Sequence, residues 1–142
     1  MYVCELTKKC YRGRSQQEIK RPEDAVRILR RRFKHGEGRE LFVILLLTTR
    51  NTVLGIETIS IGSLNASIVH PREVFRPAIT QGAASIIVAH NHPSGNPDPS
   101  DDDLAITKRL VETGELVGIP VLDHLILGQR GYLSLKHEGH LK

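Results

Sequence analysis

The chain has 142 residues, enough for one compact domain, and its 39% hydrophobic and 25% charged residues are ordinary for a globular protein. The longest apolar run, Leu41 to Leu47, is far too short to cross a bilayer, and the polar N-terminus lacks the apolar core of a signal peptide. The net charge of +4 is uneven, because residues 1–39 carry 12 Lys and Arg against 5 Asp and Glu, whereas residues 40–142 carry 8 against 11. These features argue against a membrane protein. They leave DNA contact through residues 1–39 open, although a solvated arm and helix face explain the same charge.

The N-terminal segment differs from the remainder of the chain. Residues 1–19 show no clean periodicity and are predicted to form an irregular basic arm, followed by a single domain over residues 20–142. Cys4 and Cys10, the only cysteines, lie close together in this arm, where a disulfide would staple no core. We expect free thiols in a reducing cytoplasm. A metal site on the cysteine pair stays an alternative, for which the other ligands are not evident.

The first half of the domain predicts one helix and two strands. Pro22 opens the helix, acidic residues follow in its first turn, basic residues crowd its end, and Gly36 can terminate it. The unbroken apolar run Leu41 to Leu47 indicates a strand covered on both faces. The β-rich segment Val53 to Ile61 is predicted as its antiparallel partner.

The second half predicts alternating helices and strands. The predicted elements are a helix over 71–81, a strand over 84–89, a loop over 91–99, a helix over 100–117, a strand over 121–127 and a last strand over 132–135. Pro77 lies inside the first of these helices and should kink it or remove a hydrogen bond. The strand–helix–strand unit should be a right-handed parallel crossover. We therefore predict the α/β class, with a mixed sheet and helices on both faces.

The segment from His90 to Asp103 carries the chemistry. His90 and His92 are two residues apart at a strand end, so their side chains share a face and can reach one metal ion. Ser100 is a strong helix N-cap, and Asp103 follows at the third helical position, beside the strand end that carries the histidines. Two His and one Asp leave a tetrahedral zinc ion with one open position for water, which a catalytic site requires.

Less specific interpretations exist for each residue. Ser100 and Asp103 also match a capping box in form, and the histidines alone could be hydrogen-bonded loop residues. A hydrolase further needs a carboxylate that does not bind the metal. Glu40 is the better candidate, because the start of its strand meets the end of the histidine strand if the two are adjacent and antiparallel. Glu57 lies mid-strand and is expected to face solvent.

At this point the chain resembles the JAMM/MPN metalloproteases, and among them the bacterial RadC-like proteins. The family pattern is a distant Glu, then His-x-His-Pro, six residues, Ser, two residues and Asp, and every spacing is matched from Glu40 to Asp103. Further similarity lies in the segments 69–73, 90–95 and 121–124, and the resemblance covers roughly residues 20–135. Longer RadC-like proteins carry an N-terminal helix-hairpin-helix region that this chain is too short to hold, so no DNA binding is expected from that source.

The resemblance implies a three-layer, cytidine-deaminase-like α/β/α fold. It also implies zinc held by His90, His92 and Asp103, with Glu40 as acid and base and Ser100 hydrogen-bonded to the oxyanion. Peptide or isopeptide hydrolysis is the implied reaction, on a peptide or protein substrate that the sequence does not identify.

Three other functions are conceivable for a chain with these residues. A nucleic-acid deaminase needs Glu at position 92 and a later pair of cysteines, neither of which is present. The tripeptide at residues 90–92, His-Asn-His, does not indicate an HNH nuclease, because the residues that name that class are spread over a ββα unit. The serious alternative is a non-catalytic DNA-repair or mobile-element accessory protein that binds DNA through residues 1–39. The roles of His70 and His124 stay open, and structural roles are favoured for both.

Overall fold

The described part of the chain forms one mixed sheet with helices on both sides. A computed structural model describes residues 17–34, 38–62 and 69–142. Within these ranges the elements are, in order, α1 (Pro22–Lys34), β1 (Leu41–Leu47), β2 (Val53–Ile61), α2 (Pro71–Thr80), β3 (Ser85–Asn91), α3 (Asp101–Val117), β4 (Val121–Leu127) and β5 (Tyr132–Ser134). The α/β class predicted from the sequence is confirmed, and the predicted boundaries are within two residues of these.

The sheet brings the sequence-distant strands β1 and β3 together. Its strand order is β2-β1-β3-β4-β5. Strand β1 is antiparallel to both of its neighbours, β3 is parallel to β4, and β4 is antiparallel to β5. The predicted parallel pairing across α3 is therefore present, and the antiparallel neighbour that the Glu40 hypothesis required is β3.

Two hydrophobic clusters, one on each face of the sheet, explain the apolar run of β1. All seven β1 residues are buried. Because side chains alternate along a strand, Phe42, Ile44 and Leu46 pack with α2 and α3, whereas Val43 and Leu45 pack with α1 on the other face. A polar residue on either face of β1 would be buried without water, which is why this strand is apolar throughout.

The register of β1 on β3 determines which residues reach the sheet end. Phe42 pairs with His90, so the residues before β1 lie beside those that follow β3. Asn91 holds the two segments together: its side-chain carbonyl accepts from the Leu41 amide at 2.8 Å, and its side-chain amide donates to the Arg39 carbonyl at 3.0 Å. The backbone before β1 is therefore tied to the strand that carries the histidines.

The segment before α1 differs from the sequence prediction, and the helix that contains Pro77 is continuous. Gln17 to Ile19, predicted as irregular, lie extended against the start of β2, where the Val53 amide donates to the Gln17 carbonyl at 2.9 Å. The remainder of the predicted arm, with both cysteines, and Gly36 lie outside the described residues. Helix α2 continues across Pro77 for one more turn. Among the described helices, none is long and apolar enough to cross a membrane.

Candidate metal centre

His90 and His92 reach the same space because they flank the end of β3. His90 is the sixth residue of the strand and is buried, with its side chain on the face that packs against α2 and α3. His92 follows the strand, and its amide donates to the Leu127 carbonyl at 2.9 Å, which continues the pairing with β4 by one residue. The two imidazoles therefore stand on the same side of the sheet, as their spacing predicts.

Asp103 is held in place by the start of helix α3. Ser100 is the N-cap: its hydroxyl oxygen accepts from the Asp103 amide at 3.1 Å, and its own amide donates to the Asp103 Oδ2 atom at 2.9 Å. This reciprocal pair is a capping box. The capping box and the approach to the histidines, which the sequence left as alternatives, are both present in the same carboxylate.

The three side chains converge within bonding range of a single ion. The Nε2 atoms of His90 and His92 are 2.9 Å apart, and each lies close to one Asp103 oxygen, at 3.1 Å and 3.2 Å respectively. One ligand atom from each residue fits within a span of 4.8 Å. Ligand atoms around a tetrahedral zinc ion, at bonds of 2.0–2.1 Å, are about 3.3 Å apart. This His-His-Asp group could therefore hold a metal ion after only a small outward adjustment.

The electrostatics of the site favour an ionised carboxylate. Burial raises the pKa of Asp103, but hydrogen bonding and charge interaction with His90, together with hydrogen bonds from Ser100, outweigh burial and place the pKa well below its ordinary value. Asp103 is only 2% exposed, so its negative charge is poorly solvated by water. A buried carboxylate of this kind needs a positive partner, which a metal ion supplies.

Both imidazoles are oriented through their other ring nitrogen. His92 donates from Nδ1 to the Asn96 carbonyl at 2.8 Å, because a carbonyl can only accept. The Nδ1 atom of His90 lies 2.8 Å from the Nε2 atom of His124, which is completely buried. Burial, followed by the charge of His90, lowers the pKa of His124 well below its usual range. Such hydrogen bonds to the remaining ring nitrogen are typical of metal-binding histidines.

The structure differs from the sequence interpretation at two residues outside the metal-ligating group. His124, for which a structural role was favoured, contacts His90 directly. Glu57, expected to face solvent, is half-buried and accepts a hydrogen bond from Gln81 at 2.9 Å. His70 is exposed beside the start of α2 and its side chain makes no capping bond, so it is not part of this cluster.

Glu40 lies at the sheet end that carries the histidines. It is half-buried, and it precedes Phe42 by two residues. The Phe42 ring is stacked near His90, with ring centroids 6.2 Å apart and planes inclined by 20°. Because Phe42 pairs with His90 and the two strands are antiparallel, the register brings Glu40 to the level of His92.

A groove opens beside His92 on the α1 side of the sheet end. Its volume is about 360 Å³. Phe33, Leu127 and Pro93 contribute apolar walls, and Lys34 contributes a positive charge. Of the three residues of the His-His-Asp group, only His92 lines this depression, which is large enough for a few side chains of another molecule.

The chain is similar to known proteins over most of its length. Residues 19–140 match the family model for the RadC-like JAB domain. The chain is 54% identical over 119 residues to a UPF0758 protein of Alkaliphilus oremlandii, covering 84% of this chain and 51% of that protein. A UPF0758 protein of Bacillus cereus is 53% identical over 123 residues, which cover 87% and 54% of the two chains. The chain spans about half the length of the curated relatives it matches.

Proposed function

The chain belongs to the family of RadC-like JAB domains, and from this premise we propose that it is a zinc-dependent hydrolase of peptide or isopeptide bonds. The observation that carries the proposal is the convergence of His90, His92 and Asp103, whose ligand atoms lie within 4.8 Å of one another. The proposed ligands number three, which leaves one position of a tetrahedral site open.

The proposed ligands suit zinc better than the harder cations. Imidazole nitrogen is a ligand of zinc and other late transition metals, whereas calcium and magnesium prefer all-oxygen sites. When bound, zinc would act as a Lewis acid that lowers the pKa of a water molecule towards ~7 and polarises a substrate carbonyl. Asp103 contributes the negative charge that a divalent ion needs in a buried site.

Glu40 is the proposed general base, and later the general acid. Its position two residues before Phe42, the residue paired with His90, supports this role. A carboxylate there can accept the proton of the attacking water and return it to the leaving nitrogen, so that each proton released is used again. The glutamate does not belong to the metal-ligating group, which is what this role requires.

Ser100 is the proposed hydrogen-bond donor to the oxyanion that develops on the substrate carbonyl. Its Oγ atom accepts from the Asp103 amide, and that bond does not use the hydroxyl hydrogen. The residue is exposed at the N-terminus of α3, where the helix dipole also favours negative charge. The groove beside His92 is the proposed approach of the substrate, with Phe33 and Leu127 as its apolar contacts.

The test compares three glutamine and alanine variants in a zinc-loaded preparation. We expect Glu40→Gln to retain one zinc per chain by elemental analysis and to lose turnover by roughly 10²–10⁴-fold on a peptide and isopeptide library. His92→Ala should lose both zinc and turnover. Glu115→Gln, an exposed change on α3, is the matched control and should retain both. The proposal fails if the zinc-loaded wild type cleaves nothing in the library, or if Glu40→Gln turns over at the wild-type rate.

The alternative of a non-catalytic DNA-binding accessory protein rests on the positive charge of residues 1–39. Two of the arginines that would carry it are engaged within the chain. Arg30 donates to the carbonyl groups of Gly128 and Gly131, at 3.0 Å and 3.2 Å, and Arg32 donates to the Thr58 hydroxyl at 3.0 Å. Salt-dependent DNA binding that is lost on neutralising Arg30 to Arg32, and unaffected by Glu40→Gln, would favour this alternative.

A further inference from the structure

A chain of hydrogen bonds lies behind the proposed metal ligands. It runs from the Asp103 backbone carbonyl to the Thr107 hydroxyl, then to the imidazole of His124 and finally to that of His90, whose Nε2 atom lies 3.1 Å from the Asp103 carboxylate. All four residues are buried, and they belong to α3, β4 and β3. Neither Thr107 nor His124 is in the metal-ligating group. Their place in this hydrogen-bond chain therefore needs an explanation other than metal ligation.

Thr107 determines the direction in which the hydrogen bonds of this chain are donated. Its hydroxyl has a single hydrogen, which it donates to the Asp103 carbonyl one helical turn earlier, at 2.7 Å. The carbonyl can only accept, so this direction is the only one available. The Thr107 oxygen is also 2.5 Å from the Nδ1 atom of His124. Because the hydroxyl hydrogen is already used, this second bond must be donated by His124.

The same reasoning determines which atom donates in the hydrogen bond between His124 and His90. A neutral imidazole that carries its hydrogen on Nδ1 has a lone pair on Nε2. The Nε2 atom of His124 therefore accepts from the Nδ1 atom of His90, 2.8 Å away. His90 then donates from Nδ1, and its Nε2 atom, which faces His92 and Asp103, is the nitrogen left for a metal ion. A metal ion bound at Nε2 requires the neutral tautomer that keeps its hydrogen on Nδ1.

His92 reaches the same tautomer by an independent contact. Its Nδ1 hydrogen is directed to the Asn96 carbonyl in the loop before α3. Both Nε2 atoms therefore face the space between the two histidines and Asp103, which is where a metal ion would bind.

We propose that Thr107 and His124 are positioning residues, which fix the Nδ1–H tautomer of His90 and so prepare its Nε2 atom to bind zinc. This inference rests on the zinc-binding part of the proposed function and is independent of the hydrolytic part. Loss of such a hydrogen bond to a ligating histidine typically costs 10- to 100-fold in metal affinity.

The test measures zinc affinity by competition with a chelator, in variants that change one hydrogen bond at a time. Thr107→Val removes the hydroxyl at nearly constant volume and should raise the zinc dissociation constant by about 10- to 100-fold. Thr107→Ser keeps the hydroxyl and is the matched control, expected within about threefold of wild type. At His124, the Gln variant keeps an acceptor for His90 and should bind zinc more tightly than the Leu variant.

A second measurement needs no variant. Nitrogen-15 NMR of the zinc-loaded wild type should show His124 with its hydrogen on Nδ1 and a bare Nε2. The proposal is overturned if His124 carries its hydrogen on Nε2, or if folded Thr107→Val binds zinc as tightly as wild type. Either result leaves the hydrolase proposal intact. If instead Thr107→Val loses zinc affinity and the zinc-loaded wild type cleaves nothing, the positioning proposal is supported and the hydrolase proposal is overturned.

Discussion

The contact between Gly128 and Gly95 offers a sharp test of how the site loop is packed. Gly128 follows β4, and a Cβ atom added to it would overlap the Gly95 carbonyl oxygen and lie 3.3 Å from the Pro97 Cδ atom. Gly95 belongs to the loop between His92 and α3, and its amide donates to the His92 carbonyl at 2.9 Å. A methyl group at position 128 must therefore displace backbone that is bonded to a proposed ligand.

The magnitude follows from the size of the overlap. Restoring ordinary contact requires a shift of about 1 Å in packed backbone, and overpacking of this kind costs about 1–3 kcal/mol. In a domain of this length, 1 kcal/mol lowers Tm by about 3 °C, so Gly128→Ala should melt about 3–9 °C below wild type. The matched control is Gly131→Ala in the same turn. No heavy atom lies within 4 Å of the added carbon there, and the backbone is not left-handed.

The assay is thermal melting by circular dichroism, with zinc affinity measured in parallel. Gly131→Ala should melt at or slightly above the wild-type temperature, because alanine restricts the unfolded chain. The affinity measurement rests on the proposed zinc site, and Gly128→Ala should bind zinc more weakly because the loop that orients His92 moves. A Gly128→Ala protein that melts with the wild type and binds zinc equally well would refute the close packing of this loop.

Three further outcomes are expected. Gly114→Ala improves helix propensity by about 1 kcal/mol, but the added Cβ atom would lie 2.6 Å from the Ile119 carbonyl oxygen. Urea denaturation should therefore show net destabilisation, and a midpoint at or above that of the wild type would contradict this. The Tyr132 hydroxyl donates to Glu23 at 2.7 Å and lowers the pKa of Glu23 below 4.5, so Tyr132→Phe should raise that pKa in an NMR titration. Because the folded pKa is the lower one, the stabilisation from this bond is present above about pH 4.5 and is lost as pH falls through the folded pKa; an unchanged titration in Tyr132→Phe would exclude the bond. Free zinc at 100 times its dissociation constant should stabilise the protein by about 2.7 kcal/mol, and an equal shift in His92→Ala would count against the proposed ligands.

The elements were predictable because their signals are local. The apolar run of β1 indicated a strand covered on both faces, and Ser100 followed by Asp103 indicated a helix start at the observed residue. The spacing of His90 and His92 indicated a shared face, and the structure brings both to Asp103. These features depend on chain periodicity and capping, which neighbouring residues encode.

The contacts between strands were not predictable in the same way. His124 meets His90 because β3 and β4 pair in parallel with a register shift between Ile86 and Ile87, and no local pattern encodes that register. The role of Asn91 in tying β1 to β3 has no local signal either, because its side chain bonds to residues at and before the start of another strand, about 50 positions earlier. Glu57 was expected to face solvent because it lies in the middle of a strand, and no local pattern indicates its bond to Gln81, which follows the next helix.

The Asp103 carboxylate takes part both in the capping box of α3 and in the candidate metal group, and these two roles place different demands on the length of its side chain. Glutamate is the usual partner in a capping box, so a helix would accept it at position 103. The extra methylene, however, would carry the oxygens past the positions at which Asp103 meets the two histidines. Folding alone therefore gives no reason to prefer the shorter acid here. The choice of aspartate at position 103 is therefore explained by the proposed cation site and not by the helix, which would form with either acid.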